Sequence, residues 1–215
     1  MGRAHQLPAL PEEWFNLRAI LPYGLKVAQV KAAMRDALEF LYKTNSFLLA
    51  EGYKRLEDFM PGNAFSGLVS EVLVQAIPKH CPHLTKNLRV GGHPDLIPKG
   101  HYRGDTILRG DEGVDIKSSK QAGGWQGHNP EEGWVMVFRC QVDTGTEPTR
   151  SRKSFQFVEV LAARLTRRDW SFSGRRETSR RTITASMKRE AVERLRSNCL
   201  YRNPAYAVRR RTSHR

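Results

Sequence analysis

The 215-residue chain is 39% hydrophobic and 27% charged, the composition of a globular protein with enough chain for one buried core. No apolar run approaches the roughly 20 residues that span a bilayer. The amino end, MGRAHQLPALPEEW, has no signal-peptide core, so a cytoplasmic protein is expected, and Gln6 stands where N-myristoylation after Gly2 wants a hydroxyl residue. The net charge of +14 is lopsided: residues 1–149 hold 17 basic and 17 acidic side chains, residues 150–215 hold 19 and 5. Such a field attracts polyanions. Nucleic acid leads because arginine grips phosphate bidentately; a basic solubilising tail is the plainer alternative.

The first predicted element is a helix in LKVAQVKAAMRDALEFLYKTNSFLLAE, where Leu25, Val27, Val30, Ala33, Met34, Ala37, Leu38 and Leu41 recur at three- and four-residue steps. GYKRLEDFM is a further helix or a loop, and Pro61–Gly62 punctuates it. AFSGLVSEVLVQAI predicts a helix with Ser66 as cap or first-turn residue and Pro78 as its end; Glu71 is its one carboxylate. The period then changes. LTKNLRV, HPDLI and DTILRGDEG are short pieces between turns, and VDIKS alternates as a brief strand. A glycine-rich loop, SKQAGGWQGHNPEEG, leads to WVMVFRCQV, apolar for most of its length as a central strand would be. SFQFVEVLAARLT predicts another strand with a helical end. RRDWSFSGRRETSRRT is an exposed arginine-rich segment anchored by Trp170 and Phe172. TASMKREAVERLRSN predicts a helix capped by Thr184, with Met187, Ala191, Val192 and Leu195 on one face and Lys188, Arg189, Arg194 and Arg196 on the other. The end, YAVRRRTSHR, frays unless bound. Helices, then strands, then a mixed basic tail fit an α/β fold with a central mixed sheet flanked by helices.

The chemistry concentrates in the middle. In GVDIKS, Asp115 and Lys117 share one face of a strand and Val114 and Ile116 turn to the core. Asp95 lies 20 residues upstream, after a turn and before Leu96 and Ile97. If its segment ends beside that strand, the two carboxylates converge. Two carboxylates can hold Mg²⁺, a hard cation that favours oxygen and helps water attack a phosphodiester. A nearby ammonium offsets charge as it builds. The Ile116 carbonyl is a plausible extra ligand and Glu71 a third carboxylate. The plainer alternative makes Asp95 a turn residue and Asp115 and Lys117 a surface pair worth about 0.2–1 kcal/mol.

Pro94–Asp95 followed by Asp115–Ile116–Lys117 resembles the signature of the PD-(D/E)XK nuclease superfamily, which includes many restriction endonucleases. The resemblance covers about residues 66–165. It implies a restriction-endonuclease-like fold and a Mg²⁺-dependent endonuclease acting on double-stranded DNA, in the manner of a type II restriction enzyme. It further implies Asp95, Asp115, Lys117 and Glu71 as catalytic residues, and Asp95, Asp115, Ile116 and Glu71 around the metal. A homodimer is expected from the same resemblance, with the helices of 1–65 as candidates for the interface, 66–165 as the nuclease core and 166–215 as an arginine-rich DNA-contacting region.

For DNA contact the candidates are Lys120 and Gln126 in the loop after the proposed catalytic strand, the doublets Arg175–Arg176 and Arg180–Arg181, and Lys188 and Arg189. The doublets suit phosphates, which position a duplex without reading it; glutamine can read adenine. Other chemistries find little support. Cys81, Cys140 and Cys199 are far apart, giving neither a disulfide framework nor paired zinc ligands. His80 and His83 beside Cys81 lack a fourth ligand, His128–Asn129 lacks the surroundings of an HNH nuclease, and no phosphate-binding G-x-x-x-x-G-K-[ST] loop is present. The alternative of another class is a noncatalytic nucleic-acid-binding protein that uses the basic C-terminal region; a nuclease acting on RNA is a further one.

Overall fold

A computed structural model describes residues 7–127, 129–172 and 185–206. The helices are α1 (Val27–Ala50), α2 (Leu56–Phe59), α3 (Gly62–His80) and α4 (Arg189–Ser197). The strands are β1 (Leu84–Lys86), β2 (Leu96–Pro98), β3 (Val114–Ser119), β4 (Gln126–Gly127), β5 (Gly133–Gln141), β6 (Gln156–Leu165), β7 (Trp170–Phe172), β8 (Ala185–Met187) and β9 (Cys199–Arg202). A six-stranded sheet runs in the order β1-β2-β3-β5-β6-β9, and a second sheet of three short strands runs β4-β8-β7. The large sheet is mixed: β3 and β5 are parallel, and its other neighbours are antiparallel. The fold is therefore α/β, with a mixed sheet flanked by helices.

Alternation along β5 and β6 sorts the side chains into two cores. Met136, Phe138, Val160 and Ala162 face α1 and α3, packing against Val30, Met34, Val69 and Leu73. Val135, Val137, Leu161 and Ala163 face the other way, toward Trp125, Trp170, Met187 and the apolar face of α4. Each fully buried aliphatic side chain contributes about 1.5–3 kcal/mol, so a sheet covered on both faces explains why β5 reads as a continuous apolar run. The three segments anticipated at 1–65, 66–165 and 166–215 share this packing: α1 lies in the first core, α4 in the second, and β9 at the sheet edge contributes Leu200 and Tyr201 to the first.

Several local expectations are corrected. The α3 helix starts at Gly62 behind Pro61, a turn before Ser66, because the Phe65 N–H already donates to the Pro61 carbonyl. Pro78 lies inside its last turn instead of ending it. A proline there forfeits one backbone bond, and Cys81 N–H still reaches the Ile77 carbonyl at 3.0 Å. The β6 strand stays extended to Leu165, with no helical end. Met187 belongs to β8 and α4 begins after Lys188; Thr184 lies outside the described residues. Trp170 is buried as expected, whereas Phe172 is 46% exposed. Among the described residues no helix is long and apolar enough to cross a membrane.

Candidate active site

The site sits on the face of β3 that looks away from α1 and α3. Val114 and Ile116 enter the first core, so alternation turns Asp115 and Lys117 to the opposite side, in register with Val135 and Val137 of β5. That side is roofed. The Trp170 ring lies 5.9 Å from the Lys117 Nζ, and the indole N–H donates to the Glu131 carbonyl at 2.7 Å. Asp115 is only 7% exposed. The surface-pair alternative is thereby overturned: the pair is enclosed, in a medium where charges act strongly.

Asp95 arrives from the turn before β2. Its Oδ2 accepts the Ile116 N–H at 2.8 Å, tying the two acidic segments together through the backbone. Gly113 makes the approach possible. It has φ +148°, and a Cβ there would stand 2.3 Å from the Leu96 carbonyl oxygen and 2.8 Å from Pro94. Two further side chains join. His93 Nδ1 lies 3.6 Å from Asp115 Oδ1, and Lys117 Nζ lies 2.5 Å from Asp115 Oδ2 and 3.4 Å from Glu131 Oε2. Donor atoms of His93, Asp115 and Glu131 all fall within 4.8 Å of one another, close enough for one metal ion.

Electrostatics follows from crowding three carboxyls around one ammonium and one imidazole. Burial and the neighbouring Asp115 push the Asp95 carboxyl up to about 7. Burial also works against the Asp115 charge, but Lys117 and His93 prevail and hold that carboxyl below the usual range. Burial opposes the charge on Lys117 as well, yet Asp115 and Glu131 raise its pKa. The His93 imidazole is desolvated too, and Asp115 still keeps it a stronger base than usual. Glu131 is pushed up by burial and then by Asp115. Buried Asp115 Oδ2 and Glu131 Oε2 lack a directed hydrogen bond, although the Lys117 ammonium is beside both. Acidic oxygens with lone pairs to spare in a low-dielectric pocket suit a further cation.

Of the residues anticipated from sequence, Asp95, Asp115, Ile116 and Lys117 are brought together. Glu71 is not: it lies on α3, on the far side of the sheet, 61% exposed and 2.8 Å from Lys86. Its place as third carboxylate is taken by Glu131, in the crossover between β3 and β5. Sequence reasoning passed over Glu131 and His93. His93 stands two residues before Asp95, and Glu131 lies at the end of the glycine-rich loop SKQAGGWQGHNPEEG, whose polar composition carries no signal of a buried acid.

The expected DNA-contacting residues are spread more widely. Lys120 and Gln126 are exposed, Gln126 pairing with Ser186 between β4 and β8. Lys188 and Arg189 are exposed at the start of α4, Arg189 pairing with Glu193 at 2.8 Å. On the same helix Arg194 reaches Asp169 at 2.7 Å and Arg196 donates to the Ala122 carbonyl, so these two hold the fold together. Arg175, Arg176, Arg180, Arg181 and His128 lie outside the described residues. Comparison with protein-family models, curated proteins and solved structures finds no match for this chain.

Proposed function

We propose that the protein is a divalent-metal-dependent nuclease that hydrolyses DNA phosphodiester bonds, an endonuclease of the PD-(D/E)XK type. The observation that carries this reading is the convergence of Asp95, Asp115, Glu131 and Lys117 in one largely buried cluster, from the turn before β2, from β3 and from the β3–β5 crossover. A structural ion pair needs one acid and one base. Three carboxyls around one lysine, two of them pushed toward the neutral form, are poor for stability and suited to binding a cation.

Asp115 and Glu131, with Asp95 beside them, would hold Mg²⁺ through hard oxygens. His93 would join only after losing its proton, a donor that suits Mn²⁺ or Zn²⁺ better than Mg²⁺. The bound ion would supply Lewis acidity toward the scissile phosphate and its attacking water. Lys117 is held beside both ligand carboxylates, where its ammonium can offset charge growing on the phosphate or orient the water. Asp95, whose carboxyl stands beside Asp115 and accepts the Ile116 N–H, is placed to take a proton from that water or return one. Trp170 and the second core keep bulk water from the inner side of the pocket. The excess of arginine in the C-terminal third would draw the polyanion in. A type II restriction-like enzyme working as a homodimer is the specific form we favour, on the resemblance of the motif. The noncatalytic reading uses the same charge but gives the acidic pocket no task.

The test is incubation of the purified chain with methylated and unmethylated duplex DNA, and with RNA, in EDTA, Mg²⁺, Mn²⁺ or Zn²⁺. Metal-dependent DNA cleavage is expected, lost in Asp95→Ala, Asp115→Ala and Lys117→Ala while duplex binding survives. Wild-type rates in Asp115→Ala would remove the assignment; binding without cleavage in any metal would favour the noncatalytic protein.

A further inference from the structure

Two loops next to the acidic pocket run side by side, residues 87–93 and 105–110. The Leu88 N–H donates to the Asp105 carbonyl at 3.1 Å, the His93 N–H to the Leu108 carbonyl at 3.1 Å and the Gly110 N–H to the His93 carbonyl at 2.8 Å. Asn87, 5% exposed, staples them: its amide donates to the Pro94 and Ile107 carbonyls, and its Oδ1 accepts from the Arg89 and Ile107 N–H groups. Gly92 allows the closest approach, since a Cβ there would stand 2.4 Å from the Ile107 carbonyl oxygen. This is a built platform, cross-linked by backbone hydrogen bonds and by the Asn87 side chain.

What the platform holds out is unusual. Val90 is 95% exposed, Leu88 66% and Leu108 53%. Arg89 and Arg109 are exposed beside them, and among the described residues neither has an acidic partner. Single exposed apolar residues are ordinary, but three on one rigid support, interleaved with unpaired arginines, need a reason. The platform also touches the chemistry directly, because His93 is both one of its anchors and a neighbour of Asp115 at 3.6 Å.

We propose that this clamped loop pair is a duplex-engaging wedge: Leu88, Val90 and Leu108 press against base pairs of a locally opened duplex while Arg89 and Arg109 grip the phosphates on either side. Apolar side chains inserted at a base step unstack it and bend the duplex. Arginines without internal partners are free to replace condensed counterions. The unpaired positive charge complements a polyanion, and a duplex held on the platform would lie next to His93 and hence to Asp115. The inference rests on the nuclease reading of that site.

The full chain is mixed, in EDTA, with random-sequence duplexes carrying 2-aminopurine, whose fluorescence rises when it is unstacked. Wild type should raise it. Leu88→Ser with Val90→Ser should abolish the rise and weaken binding only a few-fold. Arg89→Ala with Arg109→Ala should weaken binding tenfold or more and reduce the log–log salt slope by about 2. All four positions are exposed, and unchanged melting temperatures would confirm folding. A rise undiminished in the serine variant, no rise with wild type, or an unaltered salt slope in the alanine variant overturns the wedge. Parallel digestion in Mg²⁺ or Mn²⁺ separates the two claims. Cleavage by wild type with these variants indistinguishable from it sinks the wedge and keeps the nuclease. Unstacking with no cleavage in any metal does the reverse.

Discussion

Replacing Lys117 with methionine tests whether the pocket is held together by charge compensation. Methionine keeps the length and apolar stem and removes the ammonium. Asp115 is 7% exposed and would lose the cation 2.5 Å from its Oδ2; Glu131 would lose the one 3.4 Å from its Oε2. Stripping one partner from a buried pair costs about 3–5 kcal/mol. The low end, about 3 kcal/mol, applies because His93 remains beside Asp115 and a carboxyl can neutralise itself by taking up a proton. For a chain of this size each kcal/mol lowers the melting temperature by about 2–4 °C, so a fall of about 6–12 °C is expected in EDTA at pH 8.

Two features make that fall diagnostic. Without Lys117 the Asp115 carboxyl should rise above its unfolded value. The folded state then binds a proton the unfolded state lacks, and the deficit should shrink as pH falls toward 5. Saturating Mg²⁺ should raise the variant's own melting temperature by most of that fall, since a ligand at 100 times its Kd stabilises by about 2.7 kcal/mol, and should narrow the gap to wild type, because the ion supplies the positive charge the variant lacks. Arg55→Met is the control: Arg55 is 3% exposed and paired with Glu57 at 3.4 Å and Asp58 at 3.0 Å, and it is no part of the His93–Asp115–Glu131 cluster. It should lose comparable stability, and its deficit relative to wild type should be the same in EDTA and in Mg²⁺, because both carry the intact acidic cluster. Differential scanning calorimetry in EDTA and in Mg²⁺ reads all of this. Melting of Lys117→Met at the wild-type temperature in EDTA would refute the reasoning, because the buried carboxylates would not then need the ammonium.

Three other outcomes are expected. The Asp95 carboxyl, ordinarily 3.8 and here pushed up to about 7, binds a proton in the folded state between those values; its contribution is fully present below pH 4 and lost as pH rises through 7, and Asp95→Asn should flatten that decline in metal-free melts. Glu131→Gln should weaken Mg²⁺ or Mn²⁺ binding at least about tenfold by calorimetric titration, whereas Glu71→Gln, removing an exposed pair with Lys86, should change stability by less than about 1 kcal/mol and leave cleavage intact. Gly113→Ala should cost at least about 2 kcal/mol in urea unfolding, from strain at φ +148° and the clash with the Leu96 carbonyl, and should depress cleavage by spreading β2 from β3.

Periodicity exposed the large elements because burial is what writes it. The apolar stripe of α1, the unbroken run of β5 and the alternation of β3 each mirror a face against a core, and each was legible. The small sheet was not. Strands β4, β7 and β8 are two or three residues long, below the span at which a period of two can be distinguished from chance, and they exist because longer elements bring them together. Edge strand β9 carries the pair Leu200–Tyr201 into the first core and sets Cys199 against the second, again too little pattern.

The candidate site divides along the same line. Asp115 and Lys117 could be read because their spacing is local: two residues apart on a strand fixes a common face. Asp95 needed one further step, the meeting of β2 with β3, which Gly113 and the Ile116 N–H enforce. Glu131 required knowing how the β3–β5 crossover folds back, and no local rule encodes that. A parallel pair demands a crossover, and here it runs over the face of the sheet opposite α3. The acid that completes the cluster therefore had to come from the crossover or from the elements beyond it. A helix packed beneath the sheet could not supply it without threading a charge through the first core. That geometric constraint disqualifies Glu71 and selects the loop acid. It also predicts that shortening the crossover, by deleting residues 121–124 for example, should abolish metal binding while leaving the α1–α3 core folded.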